Sequence, residues 1–350
     1  MDIDRLAGHV GEWLRGEGDE ADIVISTRVR LARNIDGRHF LTKATLEQKG
    51  EIETVIRKRL DEVSKSDPFE YIPLAHLNEV DRTLLVERHL ISKELSEGTG
   101  ERGLALYPNE TVSIMINEED HLRIQVFRSG FELNSAWEQV DKLDSLIEQK
   151  LPYSFNNHFG YLAACPTNVG TGLRASVMLH LPALVLTKQI EKVFRAVTKI
   201  NLAVRGLYGE GTQASGNFYQ ISNQATLGKT EDELLRNIAD VVPQIIKYER
   251  RARESLQLEK EKRLDDKVWR SQGILKTARR LSSSEALELL SHLRLGVNMG
   301  IIKNNSLQHI NELVLFTQPA HLQKMLRKQL TPAERDVARA DFVREKLGEL

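Results

Sequence analysis

The hydrophobic pattern of the chain changes near residue 230, and this change limits the possible folds more than any other feature of the sequence. Before it, short apolar runs are separated by Gly, Asn and Pro, and residues 111–116 and 122–127 carry apolar side chains at alternate positions. That period of two is typical of strands. After it the pattern is helical, and Thr230 with Glu233 has the spacing of a capping box. The sequence therefore predicts an α+β region followed by an α-helical one.

We place the boundary between the two regions at 245/246, which divides the chain into domains 1–245 and 246–350. The charged segment 247–266 is predicted to form a solvated helix. The acidic turn between the first two strands predicts a hairpin with Glu119 near its tip. Further strands are predicted at 160–165, 173–181 and 200–205, and helices at 46–65 and 137–150.

The composition argues against several classes of protein. The 350 residues carry 49 Lys and Arg against 50 Asp and Glu, with no basic stripe and no interleaved aromatics, which argues against a nucleic-acid-binding protein. The single cysteine, Cys165, excludes an internal disulfide, and no metal ligands are predicted. The longest apolar stretch, 179–187, is far shorter than the ~20 residues that span a bilayer, and the N-terminus is too acidic for a signal peptide. We therefore expect a cytoplasmic protein without direct contacts to membranes or nucleic acid.

Five arginines stand beside turns or glycine-rich loops in the first two-thirds of the chain. Arg28 and Arg30 are two positions apart, so an extended backbone points both the same way; Arg123, Arg174 and Arg205 are the others. A guanidinium group matches two phosphate oxygens at once, and glycine lets backbone amides approach the same anion. These residues could neutralise a nucleotide triphosphate without a Walker lysine. On spacing alone each arginine fits a surface residue or ion-pair partner at least as well, so the pattern supports only an anion-binding enzyme.

Four sequence strings carry a resemblance to a known family: STRVRLARN, NEEDHLRI, CPTNVGTGLRASV and RGLYGEGTQASGNFYQISN. Over residues 22–230 they resemble the motifs of the phosphagen kinases, the creatine and arginine kinases. The resemblance implies a catalytic domain with an antiparallel sheet flanked by helices. It also implies that Glu119 and Glu210 hold a substrate guanidinium and that Cys165 lies beside it as a third catalytic residue. The ATP-binding residues that it implies are Ser26, Thr27, Arg28, Val29, Arg30, His89, Arg123, Arg174, Ala175, Ser176, Val177, Met178, Arg205, Gly206, Leu207, Tyr208 and Gly209.

The chemistry implied by the family agrees with the residue types. A guanidinium group has a pKa of roughly 13 and is a poor nucleophile at neutral pH. Two carboxylates can align it through paired hydrogen bonds, and its proton can leave as the N–P bond forms. Phosphoryl transfer otherwise requires in-line positioning and neutralisation of charge, which the five arginines and Mg²⁺ would supply to ATP.

Two departures from the small-molecule phosphagen kinases change the expected substrate. Those enzymes carry a helical domain before the STRVR motif, where this chain has a short segment, and Gly211 stands where a histidine usually follows the loop glutamate. A helical region follows the catalytic motifs instead. This arrangement resembles the bacterial protein arginine kinases over the whole chain, and it implies that the substrate is arginine within proteins.

The C-terminal region carries a second motif, RDVARA at residues 335–340. It resembles the RDxxRA motif of the protein arginine kinases, which implies an allosteric phosphoarginine-binding pocket. A helix capped at Thr331 would place two of its arginines one turn apart on one face. Without the resemblance, a solvated salt-bridged helix explains the same residues. The pocket residues are predicted to be Arg335, Asp336, Arg339 and Ala340.

The resemblance also implies partners. These are protein substrates bearing arginine, among them a heat-shock repressor, the Clp chaperone–protease in protein quality control during stress, and an activator protein. A homodimer through the helical domain is expected. Two other functions compete with this one: a kinase of free arginine or another small guanidino compound, and a phosphoarginine-binding adaptor without catalysis. The presence of both carboxylates and all five arginines favours a working kinase site over the adaptor.

Overall fold

The computed structural model describes residues 3–64, 69–207, 216–258 and 263–348. Its centre is an eight-stranded antiparallel sheet, and a separate two-stranded hairpin lies beside it. The strands are β1 (Val24–Arg33), β2 (Glu70–Pro73), β3 (Gly103–Leu106), β4 (Val112–Ile116), β5 (Leu122–Ser129), β6 (Phe155–Asn156), β7 (Gly160–Tyr161), β8 (Leu173–His180), β9 (Leu202–Gly206) and β10 (Phe218–Asn223). In the large sheet their order is β2-β3-β4-β5-β1-β8-β10-β9, and β6 pairs with β7.

Helices surround this sheet and form all regular structure after β10 within the described residues. They are α1 (Ile3–Ala7), α2 (Leu46–Val63), α3 (Glu79–Glu87), α4 (Lys93–Glu97), α5 (Leu133–Glu148), α6 (Pro182–Leu186), α7 (Ile190–Lys199), α8 (Glu231–Leu258), α9 (Arg263–Thr277), α10 (Ser283–Asn298), α11 (Leu307–Phe316), α12 (Pro319–Leu326) and α13 (Pro332–Gly348). Short 3₁₀ turns cover Glu12–Leu14, Leu74–His76 and Pro166–Asn168. The predicted α+β class, with an antiparallel sheet flanked by helices and a helical C-terminal region, is confirmed.

The two faces of the central strands differ in chemistry because side chains alternate along each strand. Val29 on β1 and Ala175 on β8 are opposite each other and fully buried in the main hydrophobic core. Helix α5 packs on β1 and β5, and α8 packs on β8 and β10. The intervening positions of the same strands carry arginines, so the apolar core fixes which face those arginines occupy.

Most of the elements predicted in the catalytic region are present. The β4–β5 hairpin is confirmed, and Ile114 lies opposite Ile124 as the alternation required. One strand was wrong: of residues 160–165 only Gly160–Tyr161 is extended in a sheet. Beyond it the backbone N–H of Ala164 donates to the carboxylate of Asp120 instead of a neighbouring strand, and Pro166 begins a 3₁₀ turn. The chain between β7 and β8 is thus a side-chain-anchored loop.

The boundary at 245/246 falls inside α8, which runs unbroken over Glu231–Leu258. The capping box at its start is present, since Thr230 and Glu233 exchange backbone-to-side-chain hydrogen bonds of 2.9 and 3.2 Å. The charged segment that follows is not solvated throughout, because Glu249 and Arg253 form a buried ion pair at 3.0 Å. The exact division into domains stays a prediction. Across the described residues, no helix combines the length and the apolar character that crossing a membrane requires.

Candidate active site

The strand register places five arginines on one face of the sheet. Arg30 lies opposite Arg174 on β8, and its partner on β5, Gln125, is two residues from Arg123. On the far side, Arg205 of β9 lies opposite Gln220 of β10. Residues directly opposite each other in an antiparallel sheet share a face, and so do residues two apart. Arg28, which is two residues before Arg30, therefore completes a five-arginine face, made of Arg28, Arg30, Arg123, Arg174 and Arg205.

This face forms the floor of an open cavity of about 610 Å³, which we call the central cavity. All five arginines line it, together with several residues predicted to act on a guanidinium or a nucleotide. Its further lining includes Ser92, Glu118, Gln125 and Gln220. Residues that are far apart in sequence therefore line the same cavity, as the sequence motifs predicted. The predicted residues that the structure brings to it besides the arginines are His89, Glu119, Cys165 and Leu207.

The arginines of the cavity raise one another's electrostatic energy. Burial, followed by repulsion from Arg174, Arg123 and Arg205, lowers the pKa of Arg28 to about 10. Burial and the neighbouring arginines also lower the pKa of Arg30 well below its ordinary value. With a pKa of about 10 Arg28 remains charged at neutral pH, so the cavity concentrates positive charge where solvent is partly excluded. An anion with several oxygens would relieve this repulsion and occupy the guanidinium forks.

The acidic side of the cavity is organised around Arg123. Its two terminal nitrogens contact Glu118 at 2.6 Å and Glu119 at 3.1 Å. Glu118 is buried and also accepts a 2.6 Å hydrogen bond from the hydroxyl of Ser92, whereas the Glu119 side chain is 42% exposed. One carboxylate thus fixes the arginine, and the other remains open to an incoming cation.

Glu119 has an unusual environment for a carboxylate at a turn. Burial raises its pKa, and the negative charges of Asp120 and Glu118 act in the same direction, against the opposing effects of Arg123 and a hydrogen bond to Cys165. The Cys165 sulfur lies 3.1 Å from the Thr167 hydroxyl. Glu119 and Cys165 are therefore neighbours in the central cavity, as predicted.

Asp120 connects the turn that carries Glu119 with the loop that carries Cys165. Its Oδ1 accepts hydrogen bonds of 2.7 Å from Asn34 Nδ2, at the end of β1, and from the backbone N–H of Ala164. The side chain is fully buried. Sequence reasoning missed both Asp120 and Asn34. Asp120 directly follows the predicted Glu119, and Asn34 is the last residue of the string STRVRLARN, so the motifs themselves could have indicated both.

His89 lies against the cavity in a strained backbone conformation. Its φ of +59° is in the left-handed region, which non-glycine residues adopt rarely and which often accompanies function. Burial, with a smaller contribution from Arg28, lowers its pKa to about 3, so its ring is neutral at physiological pH. The Trp13 ring packs edge-on against it at 4.6 Å. Gln125, another residue that the sequence analysis missed, donates to the backbone carbonyl of His89 at 3.0 Å.

The remaining predicted nucleotide residues fall into three groups. Ser26, Ser176 and Met178 line a small cleft beside Arg28 and His89. Thr27 and three apolar residues of β1 and β8 do not face the cavity, because they lie on the buried face of the sheet, and the Thr27 hydroxyl donates to the carbonyl of Gly130. The three apolar residues are Val29, Ala175 and Val177. Gly206 ends β9, and Tyr208, Gly209 and the predicted catalytic Glu210 lie outside the described residues.

The C-terminal motif lies in α13. Arg339 is buried and already engaged: it donates to the carbonyls of Thr317 and Leu281, both at 2.7 Å, and to Asp336 at 2.9 Å. Arg335 is partly exposed and donates to the carbonyl of Leu330 at 3.2 Å. Ala340 is fully buried beside them. The motif therefore presents one accessible arginine and one arginine that holds the helices of the C-terminal region together.

Comparison with known proteins connects both regions to described families. Residues 51–252 match the model of the ATP:guanido phosphotransferase C-terminal catalytic domain. Residues 261–350 match the protein-arginine kinase McsB C-terminal domain. The chain is 49% identical over 347 residues to the protein-arginine kinase of Halothermothrix orenii, covering 99% of each chain. It is 47% identical over 340 residues to that of Moorella thermoacetica, covering 96% of this chain and 97% of the relative.

Solved structures support the same relationship. A lombricine kinase aligns with a TM-score of 0.58 and 31% identity over 71% of this chain and 70% of its own. The duplicated taurocyamine kinase of Schistosoma mansoni, with bound transition-state analogue components, aligns with a TM-score of 0.60 and 29% identity, over 70% of this chain and 35% of that longer one. The family model covers more than half of the chain, and full-length relatives share nearly half of its residues. The chain therefore belongs to the ATP:guanido phosphotransferase family, in the branch whose relatives are named protein-arginine kinases.

Proposed function

We propose that this protein transfers the γ-phosphoryl group of ATP to the guanidinium group of arginine residues in other proteins. The observation that carries the proposal is the central cavity, which brings five arginines together with Glu119 and Cys165. Such a cavity offers guanidinium groups to a polyphosphate and a carboxylate to a cation next to it. Full-length similarity to protein-arginine kinases supports the choice of a protein-bound acceptor.

The arginine face would bind the phosphates of ATP. Burial and the neighbouring arginines lower the pKa of Arg28 to about 10. The phosphate oxygens, and the charge that develops during transfer, would compensate the positive charge of this face. Mg²⁺ would enter with the nucleotide, bound mainly by phosphate oxygens and water, because Glu118 is already engaged by Arg123 and Ser92. The ion would supply further neutralisation of charge at the phosphoryl group.

The acceptor guanidinium would lie against Glu119, with Glu210 as its second carboxylate. In the transfer, an N–P bond forms between the acceptor nitrogen and the γ-phosphorus while the bond from that phosphorus to the bridging oxygen of ADP breaks. The proton lost by the nitrogen passes to a carboxylate, for which the raised pKa of Glu119 is favourable. Asp120 would keep the Glu119 turn and the Cys165 loop in register around the reacting nitrogen.

The C-terminal motif would act as a separate phosphoarginine-binding pocket that regulates activity. Arg335 is accessible, and Asp336 could meet the cationic part of the ligand. Arg339 would have to exchange a present hydrogen bond for the phosphate, which would couple ligand binding to the packing of α13. Binding that favours one arrangement of these helices would let product modulate activity.

The biological setting follows from the same resemblance and belongs to the proposal. We place the enzyme in the cytoplasm, as a homodimer through its helical region, acting in the stress response. Its proposed partners are a heat-shock repressor, the Clp chaperone–protease that would receive marked proteins, and an activator protein.

The decisive experiment is mass spectrometry of an arginine-rich protein incubated with this enzyme and Mg-ATP, under conditions that preserve acid-labile P–N bonds. Free arginine is offered in a parallel reaction. Phosphoarginine in the protein and none from free arginine is the expected result. Phosphorylation of free arginine alone would replace the proposal by a small-molecule kinase, and no phosphoarginine in either reaction would leave the phosphoarginine-binding adaptor.

A further inference from the structure

The C-terminal turn of α3 connects two parts of the molecule that have no sequence motif in common. The turn consists of Glu87, Arg88 and His89, which are consecutive residues. His89 lies at the central cavity, whereas Glu87 and Arg88 contact α12 of the C-terminal region. Consecutive Cα atoms are about 3.8 Å apart. A displacement of α12 would therefore act on the cavity through only two peptide units.

Glu87 caps the N-terminus of α12. Its carboxylate accepts from the backbone N–H groups of Ala320 at 2.8 Å and His321 at 3.0 Å, and from Nδ1 of His321 at 2.8 Å. The residues are more than 230 positions apart in sequence and are buried. Such a carboxylate satisfies amides that otherwise lack partners at a helix start and interacts favourably with the helix dipole.

His321 joins Glu87 to Arg88. Burial lowers the pKa of His321 despite the nearby Glu87, so its ring is neutral. A neutral ring that donates from Nδ1 to Glu87 accepts at Nε2, where Arg88 lies 3.3 Å away. Arg88 is completely buried and also pairs with Glu110 and donates to the carbonyl of Leu6 at 2.7 Å. The turn is thus fixed on three sides.

His89 is held in its unusual conformation by this turn. The backbone N–H of His89 bonds to Val86 and that of Leu90 to Leu85, which is the hydrogen-bond pattern of a Schellman motif with His89 at the left-handed position. Glycine is the usual residue there, because a side chain adds strain. The contacts of Glu87 and Arg88 fix the two residues that precede His89, whose ring lines the central cavity.

We propose that Glu87 and His321 are positioning residues for the nucleotide site, through which α12 of the C-terminal region holds His89 in place. The proposal rests on the proposed function for the identity of the ligand, ATP. The C-terminal region would then help to form the central cavity, in addition to binding any ligand of its own.

The chain contains a matched control for this role. Glu249 is also a buried carboxylate that caps a distant helix, accepting from the N–H groups of Ala183 at 3.1 Å and Leu184 at 3.0 Å. It is not among the residues lining the central cavity. Glu249→Gln should therefore reproduce the loss of a buried helix cap without affecting His89.

The test compares wild type, Glu87→Gln and Glu249→Gln in a background with Trp137→Phe and Trp269→Phe, which leaves Trp13 as the one indole. Because Trp13 contacts the His89 ring, its emission reports the position of His89 without nucleotide. We expect a shifted Trp13 emission and ATP binding at least about fivefold weaker in Glu87→Gln only. His321→Leu should behave like Glu87→Gln, and His321→Asn, which keeps a donor near Nδ1, should restore most of the affinity.

Equal emission and equal ATP affinity of Glu87→Gln and Glu249→Gln would overturn the inference. If Glu87→Gln does not fold, the comparison of His321→Leu with His321→Asn tests the inference in the same way. Failure of the proposed function has a different signature, since wild-type protein would then form no phosphoarginine in a protein substrate, while the Trp13 emission would still show whether Glu87 positions His89.

Discussion

Arg30 and Arg174 lie directly opposite each other on β1 and β8, with both side chains on the same face of the sheet. Like charges in this arrangement destabilise a sheet by roughly 0.2–1 kcal/mol. Burial adds to the cost, since the pKa of Arg30 is lowered well below its ordinary value. A fold that retains such a pair gives up stability to prepare a site for an anion.

Replacing Arg174 by Met should therefore separate stability from binding. Without nucleotide, Arg174→Met should raise the free energy of unfolding by up to about 1 kcal/mol, because the repulsion is removed. ATP binding should be lost, since one guanidinium fork is missing. Denaturant unfolding and ATP titration measure the two effects. Arg174→Lys keeps the charge without the fork and should weaken binding without the gain in stability. Lower stability of Arg174→Met, or wild-type ATP affinity of Arg174→Lys, would contradict this account.

The carboxylates are expected to serve the acceptor rather than the nucleotide. Glu119→Gln and Glu210→Gln should each reduce phosphoryl transfer by at least about a hundredfold, because the acceptor is no longer aligned or deprotonated. The affinity for ATP should change by no more than about twofold to threefold. Turnover measured beside nucleotide titration gives both quantities, with exposed Glu47→Gln as control. If either variant retains the wild-type rate, the glutamate that it replaces has no part in the mechanism.

Asp120 is expected to act through geometry alone. Asp120→Ala removes the acceptor of two 2.7 Å hydrogen bonds that hold Asn34 and Ala164. The Glu119 turn and the Cys165 loop should then separate, and the turnover number should fall by about ten- to a hundredfold, since misplacement of about 1 Å has effects of that size. ATP binding should persist. A variant with a normal turnover number would show that the loop is positioned by other contacts.

The pH dependence of transfer should reflect the raised pKa of Glu119. An ionised Glu119 is needed to align the acceptor, so activity should decline with falling pH at a higher pH than for an ordinary glutamate. Glu118→Gln removes a negative neighbour, which makes the ionised form of Glu119 less costly and lowers its pKa. The acid limb of the pH profile of kcat/KM should therefore move to lower pH in this variant. A limb that moves to higher pH, or stays in place, would exclude Glu119 as the titrating group.

The strand periods and family motifs predicted the parts of the structure that depend on local pattern. Alternation along β4 and β5 predicted their hairpin, and the two-residue spacing of Arg28 and Arg30 predicted a shared face. That Arg205 reaches the same face depends on the order of four strands, which no local pattern contains.

Residues that act across long sequence distances were not predictable. Glu249 and Arg253 lie in the segment 247–266 that was predicted to be solvated, yet both are buried, and the Glu249 carboxylate caps α6. Likewise, Glu87 could not be connected with His321 before the fold placed α12 against α3. In each case the partner of a charged group is decided by tertiary packing, and one-dimensional charge patterns do not record it.

The C-terminal motif gives the last prediction, in which Arg335 and Arg339 should behave differently. Arg339→Ala leaves the carbonyls of Thr317 and Leu281 without their buried donor, at a cost of about 1–3 kcal/mol for each unsatisfied group. It should therefore destabilise the C-terminal helices whether or not a ligand binds. Arg335→Ala removes a partly exposed side chain and should change stability by about 0.5 kcal/mol or less.

Phosphoarginine binding is consequently tested with Arg335→Ala rather than Arg339→Ala. Calorimetry with free phosphoarginine, in a Glu210→Ala background that weakens binding at the catalytic cavity, should detect a site that Arg335→Ala or Asp336→Ala abolishes. Either substitution removes charge-assisted hydrogen bonds to the ligand, and each such bond contributes about 1.5–3 kcal/mol. ATP affinity should stay at the background value, because α13 does not line the central cavity. Unchanged phosphoarginine binding in Arg335→Ala would mean that this helix serves packing alone, through the buried bonds of Arg339.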